Sequence, residues 1–106
     1  MASRRTTGEI RLAELNAVLE RLIAFDSISD SSNLPVMTFV EDHLRRHGLE
    51  SRRAPNVAGD NAAILATIGP RVDGGVVLSG FTDLVPVDGQ PWSSPPFELR
   101  QAFGRV

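Results

Sequence analysis

Leu12, Leu15, Val18, Leu19, Leu22 and Ile23 recur at steps of three and four residues. That spacing draws one apolar stripe along a helix, with charged residues such as Glu14, Glu20 and Arg21 filling the positions between. The pattern predicts a first helix from about Glu9 to Phe25, with Thr7 as its N-cap and Glu9 at the positive end of the helix dipole. Such a stripe has to lie against a larger surface. A second stripe, Val36, Phe39, Val40 and Leu44, predicts a helix opening at about Asn33. Pro35 falls in its first turn, where a missing N–H does no harm. Gly48 supplies a left-handed stop, and Leu49 can pack back behind it.

The period then shortens. Leu49 to Pro55 reads as a short edge-like strand, Asn56 to Asp60 as a turn, and Asn61 to Ile68 as a second strand closed by Gly69 and Pro70. Val76, Val77 and Leu78 form an apolar run between Gly74-Gly75 and Ser79-Gly80. A strand covered on both faces of a parallel sheet has this pattern. Phe81-Thr82-Asp83 follows just past its carboxyl end, where open α/β sheets place their ligand crevices. Pro86, Gly89, Pro91, Pro95 and Pro96 hold the next segment out of regular structure. The expected fold class is therefore α/β: two helices followed by about three strands of a mixed sheet, with residues 1–8 disordered.

A chain of 106 residues, 42% hydrophobic and 23% charged, is long enough for one soluble domain with a modest core. A net charge of −2 gives no reason to expect nucleic acid or an anionic membrane as a partner. The absence of Cys excludes disulfides, a thiolate nucleophile and thiolate metal ligands. Arg4-Arg5 is followed by Thr-Thr-Gly and an amphipathic segment, not by the apolar core of a secretory signal. No apolar run is long enough to span a bilayer. The expected location is the cytoplasm.

Three clusters have a chemical reading and a plainer one. Asp26 to Ser32 carries two acids and four hydroxyls, which could bind a cation; turn and capping chemistry is the better account, because short polar side chains satisfy local backbone groups. His43 and His47 stand one helical turn apart, a metal-ligand spacing. Leu44 occupies the place of a zincin's Glu and no third ligand is in view, so the expected role is that of cationic side chains in a last turn, which offset the helix dipole. Arg45, Arg46, His47, Arg52 and Arg53 form a basic cluster that reads as a solvated rim, since a nucleic-acid footprint needs more charge or a motif.

The run SGFTDLVPVDGQPWSSPPF, together with LIAFDSIS, the helix SNLPVMTFVEDHLRRHGLESRRAPN and the strand AILATIGP, resembles the N-terminal part of the zinc-dependent amidohydrolases that include acetylornithine deacetylase, succinyl-diaminopimelate desuccinylase and aminoacylase. The likeness covers roughly residues 10 to 97 and lies nearest the acetylornithine deacetylase branch. It implies the N-terminal portion of a zinc-peptidase-like catalytic domain, incomplete within residues 1–106, without the smaller domain that makes the family's dimers. Residues 98–106 depart from the family pattern, although Phe103-Gly104-Arg105 resembles the start of a Gly-Arg-Gly run.

The family motif reads Ser-Gly-His-Thr-Asp, its His a zinc ligand and its Asp a support of the metal site. Here Phe81 occupies the ligand position and Asp83 the supporting one. Phe has no lone pair to give a metal, and Pro95 stands where the family has an Asp. Asp88 and Trp92 read as loop-ordering and wall residues. The resemblance implies a relative of a hydrolase that removes an acyl group from an N-acyl amino acid, as in arginine biosynthesis. In the family a metal-activated water does this, with a Glu as general base. The metal ligands and the general base are missing from residues 1–106, so this chain alone is expected to bind no zinc and to be inactive. The alternatives are one part of a split deacetylase completed by a complementary C-terminal chain, or a non-catalytic interaction module.

Overall fold

The computed structural model of the protein describes residues 6–26 and 31–106. Two helices and a two-stranded antiparallel sheet place it in the α/β class. The chain divides into two units, Met1–Asp26 with Val87–Val106, and Ser27–Pro86.

In the first unit, helix α1 spans Thr7–Ala24. Its cap is Thr6, one residue before the expected Thr7. The Thr6 hydroxyl accepts from the Glu9 N–H at 3.1 Å, and the Glu9 carboxylate accepts from the Thr6 N–H at 2.9 Å. Only Thr6 has a Glu three residues on, so only Thr6 can close this reciprocal box; Thr7 would face Ile10. No α1 residue is buried, and Leu12 and Leu15 are 56% and 63% exposed. The stripe forms as expected, but its first turns stay open to solvent. In the 87–106 segment, the Trp92 indole N–H donates to the Val87 carbonyl at 2.9 Å. Ala102 and Arg105 exchange both backbone hydrogen bonds around Phe103-Gly104, whose φ angles are 53° and 72°. A two-residue turn with positive φ at both centres matches the twist of a hairpin. Phe103 adopts that conformation against its Cβ. Of residues 1–8, expected to be disordered, residues 6–8 are instead ordered as the cap and first turn of α1, held by the Thr6–Glu9 capping box; residues 1–5 lie outside the described residues.

In the second unit, helix α2 spans Leu34–Arg46, with Pro35 in its first turn. It ends in a complete Schellman motif: Leu49 N–H reaches the Leu44 carbonyl and Gly48 N–H the Arg45 carbonyl, each at 3.0 Å, with Gly48 at φ 76°. Strands β1 (Ser51–Pro55) and β2 (Ala62–Ala66) pair antiparallel in the register Ser51↔Ala66 to Pro55↔Ala62. The Asn56 side chain organises the turn between them, its oxygen accepting from Gly59 N–H at 2.9 Å and Asn61 N–H at 3.1 Å. Helix α2 packs on both strands. Val36, Met37 and Ala62 are the buried apolar residues of the described chain. Met37 lies off the expected stripe, because the strand pair meets α2 on its N-terminal flank.

The expected third strand fails. The run Val76–Leu78 is not a buried strand, and the sheet is an antiparallel pair, not three strands of a mixed sheet. Val76, Val77 and Leu78 are 88%, 87% and 92% exposed. A parallel strand needs hydrogen-bonded neighbours and cover on both faces. The described residues provide neither for this run.

Candidate functional site

The second unit contains an open groove of about 810 Å³, and its construction starts at Asn33. The Asn33 side chain does not cap α2. Its amide nitrogen donates to the Ala62 carbonyl at 2.9 Å, and its oxygen accepts from the Ala62 N–H at 2.8 Å. The Asn33 N–H in turn donates to the Asn61 side-chain oxygen at 3.0 Å. A side-chain amide thus replaces a strand neighbour at the first residue of β2 and ties the start of α2 to it. Ser32 adds a link, its hydroxyl donating to the Asp60 carbonyl and accepting from Leu34 N–H. Residues 27–30 of the polar loop lie outside the described residues; in its described part, Ser32 serves local backbone groups, as turn chemistry requires.

Met37, Val40 and Leu44 of α2 and Ala62, Ile64 and Ala66 of β2 line the groove, and residues 77–83 complete its wall. Phe81 and Asp83 both belong to that wall, so the two motif positions share one concavity. Phe81 is 91% exposed and Asp83 is exposed. Among the described residues of the lining, Asp83 is the one ionisable group. The motif run continues across Pro86 into the other unit, where Asp88 and Trp92 lie.

This donor set does not fit a zinc centre. Zinc takes four nitrogen, oxygen or sulfur ligands, or three and a water. The described residues of the groove offer one carboxylate and a phenyl ring with no lone pair. Among the described residues, no three His, Asp or Glu side chains converge on a metal-sized site. The groove can admit an apolar group past the Asp83 carboxylate, and its described residues hold no paired acid and base.

The charged groups elsewhere are largely structural. Arg53 of β1 pairs with Glu41 and donates to the Thr38 hydroxyl of α2, which fastens strand to helix. Arg45 pairs with Asp42 at 2.8 Å. Two of the five residues of the expected basic cluster are thus paired locally. The Asp60 carboxyl is held below its ordinary range, chiefly by the Asn56 amide that donates to it at 2.8 Å. The Asn33 clamp was not anticipated. An Asn just before a helix signals a cap, and only the fold shows that its amide serves a residue 29 positions away.

Among the described residues no helix is long and apolar enough to cross a membrane. The chain is similar to the acetylornithine deacetylase of Photorhabdus laumondii, at 34% identity over 105 residues covering 92% of the chain and 27% of the relative. The acetylornithine deacetylase of Proteus mirabilis is 32% identical over 105 residues, with the same coverage. That of Shigella sonnei is 33% identical over 96 residues, covering 84% of the chain and 25% of the relative. The chain therefore spans about a quarter of the length of the curated relatives it matches. No family model matches, and no solved structure matches.

Proposed function

Because this chain is related to acetylornithine deacetylases over about a quarter of their length, we propose that it carries the N-terminal part of a zinc-peptidase-like catalytic domain. The domain's chemistry is the removal of an acyl group from an N-acyl amino acid in the cytoplasm, and residues 1–106 alone do not perform it. The observation that carries this reading is identity of 32–34% across 84–92% of the chain. The geometry is consistent with it. An apolar run that is almost fully exposed, Val76–Leu78, suits a strand whose sheet is completed by residues outside this chain.

Phe81 is the position that decides activity. With His there, a wall shared with Asp83 would offer an imidazole and a carboxylate. With Phe it offers the carboxylate alone. No catalytic step is assigned to this chain, since its own residues do not make a metal centre. Asp83 is the inherited site residue, its carboxylate left on the groove wall without a ligand to orient.

The test is a chimera in which residues 10–97 replace the matching segment of the Proteus mirabilis relative. Hydrolysis of N-acetylornithine is followed with zinc present. The chimera with Phe81 is expected to be inactive, and Phe81→His is expected to restore turnover. A folded Phe81→His chimera without activity would overturn the reading. So would zinc-dependent turnover by residues 1–106 alone.

A further inference from the structure

The hydrolase reading makes no use of His43 and His47. We propose that they form a two-point chelate on the surface of α2 for a divalent transition ion, with Cu(II) and Ni(II) preferred. Three observations carry this. The two imidazoles are one turn apart, and their ring centroids are 4.5 Å from each other with the planes tilted by 43°. Two side chains at i and i+4 lie on the same helix face, so one ion can meet both.

Second, the His47 Nδ1 lies 2.9 Å from the His43 carbonyl oxygen. A carbonyl only accepts, so Nδ1 carries the proton. The neutral ring then keeps its lone pair on Nε2. Metal-binding histidines are commonly oriented this way, the ring nitrogen that does not bind donating to a backbone carbonyl. Here the same turn supplies both the ligand and the carbonyl that fixes its tautomer.

Third, the His43 ring is braced on its other side. Phe39, one turn earlier, has its centroid 6.3 Å away. Phe39, His43 and His47 thus form a ladder of rings at successive turns, which limits the rotamers lost on binding. The neighbouring Arg45 guanidinium is paired with Asp42, which reduces its repulsion of a cation.

Imidazole suits copper, nickel and zinc, and Cu(II) leads the divalent series in affinity. With no third side chain converging among the described residues, water completes the coordination. The ion is exchangeable, unlike one in a closed structural site.

The experiment is an equilibrium titration of the untagged chain with Cu(II) in a competing glycine buffer. The wild-type chain is expected to bind one ion at this site. His43→Ala and His47→Ala are each expected to weaken binding on the order of a hundredfold, since losing either ligand removes the intramolecular second contact. The double variant, which keeps neither ligand, is expected to bind no more tightly than either single one. Single variants that bind one ion as tightly as the wild type does, or a wild-type chain that binds two ions of which each single variant loses one, would overturn the chelate. A second readout does not depend on comparing binding constants of variants. Saturating Cu(II) bridges two turns of the folded helix and should raise the wild-type thermal midpoint. No rise would also overturn the proposal.

Discussion

Replacing Asn33 by Ala removes two hydrogen bonds and leaves both backbone groups of Ala62 without them. The lost contacts are the 2.9 Å bond to the Ala62 carbonyl and the 2.8 Å bond from its N–H. Ala62 is 7% exposed, so water replaces them poorly. A net hydrogen bond contributes about 1 kcal/mol, and an orphaned buried group costs at least as much. Two groups at that level give a destabilisation of about 2 kcal/mol, roughly a thirtyfold change in an opening equilibrium. The Asn33 N–H bond to Asn61 survives, because it belongs to the backbone. The assay is amide hydrogen exchange at Ala62, read by NMR, alongside urea unfolding followed at 222 nm. Protection at Ala62 should fall roughly thirtyfold. Asn33→Asp should do no better, since a carboxylate cannot donate to the Ala62 carbonyl and would repel it. Exchange at Ala62 unchanged in Asn33→Ala, with the urea midpoint unmoved, would show that the amide clamp does not hold α2 to β2.

Three further outcomes are expected. Val77→Asp should lower concentration-dependent light scattering without altering far-UV circular dichroism, because Val76–Leu78 is an exposed apolar run that invites intermolecular pairing; scattering as strong as before would count against that. The Asp60 carboxyl is held below its ordinary value of 3.8, chiefly by Asn56. Its folded-state pKa is depressed, so its contribution to stability is present above the ordinary value and is lost as pH falls through the lower folded one. Asn56→Ala should move the Asp60 titration, followed by carboxyl carbon NMR, upward toward 3.8, and an unmoved titration would refute the assigned cause. Phe103→Gly relieves a φ of 53° in the Ala102–Arg105 turn. It should slow exchange of the Arg105 amide by about 1 kcal/mol of added local stability, since a left-handed L-residue costs roughly that; faster exchange would mean that the added freedom of glycine outweighs the strain.

How much was legible depends on how local the signal is. The Schellman stop at Gly48 was readable because its parts lie within six residues, Leu44 to Leu49. The two short strands and the turn between them were readable from a polar turn flanked by strand-like runs, and their bounds fall within two residues of those expected; their antiparallel pairing was not anticipated. The cap of α1 was misplaced by one residue although its signal was present: Thr6 and Glu9 have the box spacing and Thr7 does not. Asn33 carried no readable signal for its contact, because the partner atoms belong to the backbone of Ala62, and backbone has no sequence signature. For the site, the motif positions Phe81 and Asp83 were legible as a pair, and the structure adds that one groove includes both.

Legible without the fold were the helical stripes, the stop at Gly48, the two short strands with their turn, and the likeness that points to deacetylases. Each depends on residue types at short fixed spacings. Which apolar positions are buried depended on the fold. Met37 is buried with Val36 because the strand pair meets that part of α2, while Leu12 and Leu15 remain exposed. It also decided that Val76–Leu78 is not a strand. Periodicity states what a segment can pack against, but burial requires a second surface in place, and a ladder requires a neighbour's N–H and C=O. Those partners are set by three-dimensional arrangement, and no local pattern contains them.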